Sequence, residues 1–184
     1  MATCRDVIKR ALRMLGVLAR GDEPASDEAS DALEALKGLY LTPGLLGRLT
    51  PVVITADHTA GENERIFNAD GAVTVTLPTT ITDADSSEAR APKNRALVVV
   101  TGTNPGSFVY DAELGSWLQI DALTLASTAP FSTDLAEPLS ARLAVSLSSD
   151  YGLTPTPAVA ALSGAFTSAV ALASGEAREE PAYY

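Results

Sequence analysis

The chain has 184 residues, 46% of them hydrophobic, with 23 acidic against 13 basic side chains and a formal net charge of -10. The apolar fraction excludes wholesale disorder, and the length suits one domain, or one domain carrying another, that buries roughly 70% of its extended surface. The acidic balance repels a phosphate backbone and argues against nucleic-acid binding, while a single cysteine, Cys4, excludes an intrachain disulfide.

Along the chain the pattern runs from helical to strand-rich and back to helical. The opening MATCRDVIKRALRMLG lacks the uninterrupted apolar stretch of a signal peptide. Instead, Thr3 and Asp6 have the spacing of a capping box. Val7, Ile8, Ala11, Leu12 and Leu15 then recur on one helical face up to a helix end at Gly16. Arg5, Lys9, Arg10 and Arg13 lie off that stripe and form a basic face suited to a neighbouring subunit. After a turn at Gly21 to Pro24, Ser26 is placed as the N-cap of a second helix, with Asp27 and Glu28 in its first turn. Ala29, Ala32, Leu33, Leu36 and Tyr40 make its apolar side, and Pro43-Gly44 end it.

From Val52 the period changes. Val73, Val75 and Leu77 alternate with threonines, and Asp70-Gly71, after Arg65-Ile66-Phe67, carries a hairpin signal. Ala96 to Thr101 predicts a central strand, with further strands over Ser107 to Tyr110 and Ser116 to Ile120. Thr82 to Lys93, with Asp83, Asp85 and Glu88, predicts an exposed acidic loop. Helical spacing returns from Asp134 through Leu135, Leu139, Leu143 and Leu147 to Gly152. It restarts after Thr154-Pro155-Thr156-Pro157 and continues through Val159, Leu162, Phe166 and Val170. The last nine residues, EAREEPAYY, carry no core pattern. No run approaches the roughly 18 apolar residues of a membrane span. The expectation is a protein made and used in a cytoplasm, without a membrane anchor.

Little in the sequence points to catalysis. His58 is the one histidine, so a catalytic triad or a multi-histidine metal site is out of reach within one chain, and its polar surroundings predict an exposed loop. No phosphate-cradling glycine loop occurs. Asp83, Asp85 and Glu88 could offer oxygen ligands but lack the glycine and further ligands of an EF-hand loop. Glu62/Glu64 and Glu179/Glu180 are acidic pairs of the kind glycosidases use, with no predicted cleft around them. Cys4, beside only Arg5, reads as a packing residue. The expectation is a non-enzyme with no catalytic residues, no metal and no cofactor. The terminal Tyr183 and Tyr184 suit interface anchors, since tyrosine joins apolar area to a hydrogen-bonding tip.

Two stretches carry a family resemblance. One is MATCRDVIKRALRMLGVLARGDEPASDEASDALEALKGL, with Leu15-Gly16 ending a helix and Asp31-Ala32-Leu33-Glu34-Ala35-Leu36 in the next. The other is Pro138-Leu139-Ser140-Ala141-Arg142-Leu143-Ala144, running on to Leu147 to Leu153. Together, over roughly 90 residues, they resemble tailed-phage head-to-tail adaptors, in particular the packaged-DNA-stabilising tail accessory proteins of short-tailed phages. In related sequences the second helix is often followed by tryptophan, where this chain has Tyr40. The resemblance implies a structural protein of the virion neck, synthesised in the host cytoplasm and forming a ring of twelve copies under the portal protein. Such a ring extends the DNA channel, retains packaged DNA and presents a surface to a tail, nozzle or terminator protein, while DNA passes without sequence-specific binding. It also implies that the C-terminal segment contacts the portal, here Glu176, Arg178, Glu179, Glu180, Pro181, Tyr183 and Tyr184. The acidic loop at Asp83 to Glu88 is expected to face the channel or solvent.

The expected fold is α+β: a four-helix connector-type helical domain (1–50 and 130–175) interrupted by an antiparallel β insertion (51–129), with an extended tail (176–184). The competing expectation is another tail or baseplate component whose β domain binds a ligand, which a solvent-facing groove lined by Trp117 and Tyr110 would favour. A cell-wall hydrolase would need two carboxylates converging in a cleft.

Overall fold

A computed structural model of the chain describes residues 2–40, 49–82, 87–93, 95–130 and 135–173, with side chains in the last helix to Phe166. The first helix, α1 (Cys4–Leu15), starts at the expected capping box. The Asp6 amide donates to Thr3 Oγ1 at 3.2 Å while the Thr3 amide donates to Asp6 Oδ2 at 2.9 Å. Its next two amides, of Cys4 and Arg5, donate to the Ser127 and Leu125 carbonyls, so the 125–127 loop caps the rest of the first turn. Gly16 closes the helix in the left-handed region at φ 78°. Thr3→Ala should cost about 1 kcal/mol in denaturant unfolding, with Thr3→Ser close to wild type.

The second helix, α2 (Ser26–Tyr40), begins with Ser26 already helical; the Glu28 carboxylate reaches back to the Ala25 amide at 3.0 Å. At the far end of the chain lie α3 (Ala136–Leu147) and α4 (Pro157–Ala173). Pro138 sits in the first turn of α3, where its missing N–H is harmless, and Pro157 opens α4. Gly152, at φ 61°, ends the turns that follow α3 rather than the helix itself, which stops five residues earlier.

Between the helical ends run β1 (Thr50–Ile54), β2 (His58–Thr59), β3 (Glu64–Asn68), β4 (Val75–Thr76), β5 (Ile81–Thr82), β6 (Ala89–Arg90), β7 (Leu97–Gly102), β8 (Gly106–Asp111) and β9 (Ser116–Gln119). Five of them form a sheet of order β1-β3-β7-β8-β9, with β7 in the centre as its unbroken apolar run predicts. The β1/β3 and β3/β7 pairs are parallel, and β7/β8 and β8/β9 antiparallel. β2 pairs with β4 in parallel, and β5 with β6 antiparallel.

The chain is α+β, but it is not a four-helix domain interrupted by an antiparallel insertion. Two observations overturn that expectation. The sheet is mixed, because the segment after β3 does not fold back as a hairpin. Asn68 Nδ2 donates to the Val73 carbonyl and Asn68 Oδ1 accepts from the Asp70 amide, winding the Asp70-Gly71 stretch into a compact loop. β4 then meets β2 instead of β3. The helical core is also not made by helices alone. Val7, Ile8, Ala11, Leu12, Leu36, Leu139, Leu143 and Leu147 cluster with Val109, Ile120, Leu123 and Ala129 from the strand region. A second cluster, Ile54, Ala60, Ile66, Val98 and Val100, lies under the other face of the sheet. Among the described residues no helix is long and apolar enough to cross a membrane.

Candidate interaction surface

Side chains alternate across a strand, so the pairing registers assign each residue to a face. On one face Val52, Ile66, Val98, Val100, Phe108 and Trp117 pack with Ala60, Val73, Val75 and Leu77 from the β2–β4 layer. On the opposite face Val109 and Leu118 are covered by the helical cluster. Among the described residues that cover does not extend across the sheet. At the β1/β3 end the same face presents Pro51 opposite Arg65 and Val53 opposite Phe67, with Val99 and Thr101 on the next strand. Val53 is 75% exposed and Phe67 48%. Two large apolar side chains exposed side by side make this a candidate interaction surface. β1 offers little beyond this face. The Thr50 amide donates to the Asn63 carbonyl, so the parallel ladder turns the backbone groups of Pro51 and Val53 outward, and proline has no N–H to give. The distinctive feature of this end of the sheet is thus its side-chain face.

The trace of this surface in the sequence is the run Pro51-Val52-Val53-Ile54, which is apolar at consecutive positions and so must be apolar on both faces.

The cations of the predicted basic face are partly neutralised. Arg5, Arg10 and Arg13 are exposed, yet Glu23 accepts a hydrogen bond from Lys9 Nζ and lies 3.9 Å from Arg5. The hydrogen bond from Lys9 holds the Glu23 carboxyl below its ordinary value. Glu176, Arg178, Glu179, Glu180, Pro181, Tyr183 and Tyr184 lie outside the described residues, as do Asp83 and Asp85; Glu88 is exposed.

No protein-family model matches this chain, and no curated protein matches it.

His58 is half-buried on β2 rather than in an exposed loop, its Nε2 2.9 Å from Glu64 Oε2. Glu62 is held separately, accepting from both Arg90 Nη1 and Nη2 at 2.9 and 3.0 Å and from the Lys93 amide. Each carboxylate of the Glu62/Glu64 pair thus has its own partner. Burial alone would raise the Glu62 carboxyl, but Arg90 and the Lys93 amide outweigh it and hold it below its usual range. A depressed folded-state pKa stabilises above the unfolded value of about 4.3, and that contribution is lost as pH falls through the folded value. Glu62→Gln should accordingly cost about 1–2 kcal/mol at pH 7, and the gap to wild type should close below about pH 4. Denaturant titrations at stepped pH values check this; a gap independent of pH would reject it.

Trp117 and Tyr110 do not line a solvent groove. The indole Nε1 donates to the Pro78 carbonyl at 2.8 Å and the ring stands edge-on to the buried Tyr110, centroids 5.4 Å apart. A separate cleft of about 250 Å³ is lined by Val73, Val75, Leu77, Val100 and Phe108, with Asn68 and Asn104 among its polar residues. The Asn68 side chain is already committed to the Val73 carbonyl and the Asp70 amide. Cys4 is fully buried, and burial pushes its thiol up to about 11, against smaller opposing pulls from its own backbone amide and Lys37. It packs as a small hydrophobe. Among the described residues no three His, Cys, Asp or Glu side chains are grouped to hold a metal ion.

Proposed function

We propose that the chain is a non-enzymatic assembly subunit, a head-to-tail adaptor of a tailed-phage particle. It forms a ring of twelve under the portal, extends the DNA channel, retains packaged DNA and offers the tail its attachment surface. The observation that carries the reading is the exposed apolar pair Val53 and Phe67 on one sheet face, which a neighbouring subunit would gain by burying. The order and spacing of the helical motifs support it. They are the α1 end at Leu15-Gly16, the Asp31 to Leu36 core of α2 and the Pro138 to Ala144 stretch of α3. The net charge of -10 suits a channel that DNA must slide through without sticking. In this reading Glu176 to Tyr184 meets the portal, and the basic face of α1 lies toward another subunit.

The 250 Å³ cleft favours a second reading, a tail or baseplate component whose β layer takes a small ligand. The cleft is below the roughly 300–1,000 Å³ of most ligand pockets, which places this second. The deciding experiment is the mass of the protein, alone and mixed with its portal, by native mass spectrometry or light scattering. A closed ring, alone or with portal, is expected. A stable monomer that ignores portal rejects the adaptor.

A further inference from the structure

Of the four large apolar side chains that stand exposed among the described residues, Val53 and Phe67 form the open sheet face. Leu114 tips the β8–β9 turn. Leu153 lies two residues beyond the half-buried Tyr151, at the end of the turns that follow α3. These two apolar sites sit on different layers and in unlike electrostatic settings. The sheet face carries Arg65, exposed beside Phe67 and opposite Pro51. Burial and the nearby charges of Glu28, Asp31, Asp150 and Asp27 raise the Tyr151 hydroxyl, and of these four carboxylates Asp27, Asp31 and Asp150 are exposed.

We infer that the open sheet face of one copy docks the acidic Tyr151–Leu153 end of the next copy, an interface that repeats head to tail around the ring. This rests on the ring reading above and names the surfaces that close it. Charge selects the occupant. Two sheet faces meeting each other would bring two Arg65 guanidinium groups into one desolvated contact, and two acidic ends would repel more strongly still. Face against acidic end pairs apolar with apolar and Arg65 with carboxylates. The basic face of α1, with Arg10 and Arg13 exposed, offers charge but, among the described residues, no large exposed apolar side chain to meet Leu153. A contact between unlike patches is heterologous, the kind that generates rings. Val53 and Phe67 with Leu153 and Tyr151 would form the centre of an interface whose full size must reach roughly 800 Å² per partner.

The test uses two full-length double variants at surface positions, Val53→Asp/Phe67→Glu and Asp31→Lys/Asp150→Lys. Each is first shown to melt like wild type. Their masses are then measured alone, mixed in equal amounts, and with portal. Each variant alone is expected to lose assembly by roughly 30-fold or more. The mixture should give a dimer with one copy of each and nothing larger, because only one of its two interfaces is intact. If wild type forms a ring and either variant assembles like it, or the mixture gives no dimer, the interface is wrong while the ring reading stands. If wild type stays a monomer with and without portal, the ring reading fails and this interface with it.

Discussion

Gly102→Ala should lower the unfolding free energy by about 3 kcal/mol or more, the largest loss expected from adding a single methyl group anywhere in the sheet. Gly102 ends the central strand at φ 92°, opposite Asn68 of β3, and a Cβ built there would stand 2.0 Å from the Asn68 carbonyl oxygen. That oxygen also accepts from the Thr103 amide at 2.7 Å, so it cannot retreat without giving up a ladder bond. The neighbour in the way is backbone, and relief requires separating β3 from β7. Gly115, at φ 63° in the β8–β9 turn with nothing within 4 Å of a built Cβ, is the control. Gly115→Ala should cost only about 1–2 kcal/mol, the backbone penalty without the collision. Urea unfolding of both variants separates the two effects, and equal losses would refute the steric account.

The second large effect is expected at Asp111. Its side chain is buried where β8 meets the helices, with Oδ1 accepting from the Glu113 and Leu114 amides at 2.9 and 3.1 Å. Close by lie the buried guanidinium nitrogens of Arg95 and the buried hydroxyl of Tyr40, at the end of α2. Desolvation draws the Arg95 guanidinium below its ordinary value, and the Asp111 charge opposes that pull. Desolvation likewise lifts the Tyr40 hydroxyl well above 10, so it stays a neutral phenol. Removing the carboxylate takes the acceptor from the Glu113 and Leu114 amides at a buried site and removes a charge that favours the Arg95 guanidinium, and Asp111→Ala should cost about 3 kcal/mol. Asp111→Asn keeps an acceptor for the two turn amides and isolates the loss of charge. Adding Arg95→Met to Asp111→Asn should then cost less than the sum of the two single changes, because the attraction between the two charges is lost only once. A double variant that is simply the sum of the two singles would show that Arg95 and Asp111 do not depend on each other.

Much of the helical layer was legible because its signals are local. A capping box, a terminal glycine and a 3.6-residue apolar period each act within one or two turns, and Thr3/Asp6, Gly16 and the Val7-Ile8-Ala11-Leu12 stripe fall where they point. Period-two alternation likewise marked Val73, Val75 and Leu77 as half-buried. What alternation does not encode is a partner. Nothing near Val75 says that it lies beside His58, and the signal at Asp70-Gly71 is the same whether the chain turns back or loops on. Asn68 decides it, through hydrogen bonds to residues two and five positions ahead. The open face was hidden for the same reason. Val53 looks like any strand valine until the helices are seen to cover Val109 and Leu118 and to stop short of β1. For the candidate site, the basic helix face was readable, but Glu23 as its partner comes from a loop whose path the periodicity leaves open.

The β8–β9 hairpin has its two faces in two different cores: Phe108 and Trp117 belong to one, Val109 and Leu118 to the other. Some fourteen residues are therefore held in common by both layers, which has a consequence for how such a chain can change over generations. A recombination event that exchanges the sheet alone, or the helices alone, must cut through or mismatch this shared hairpin and spoil both interiors at once. The two layers are inherited together. Variation in what the molecule touches is then confined to positions that neither interior owns, and the outward side chains of β1 and β3 are among them.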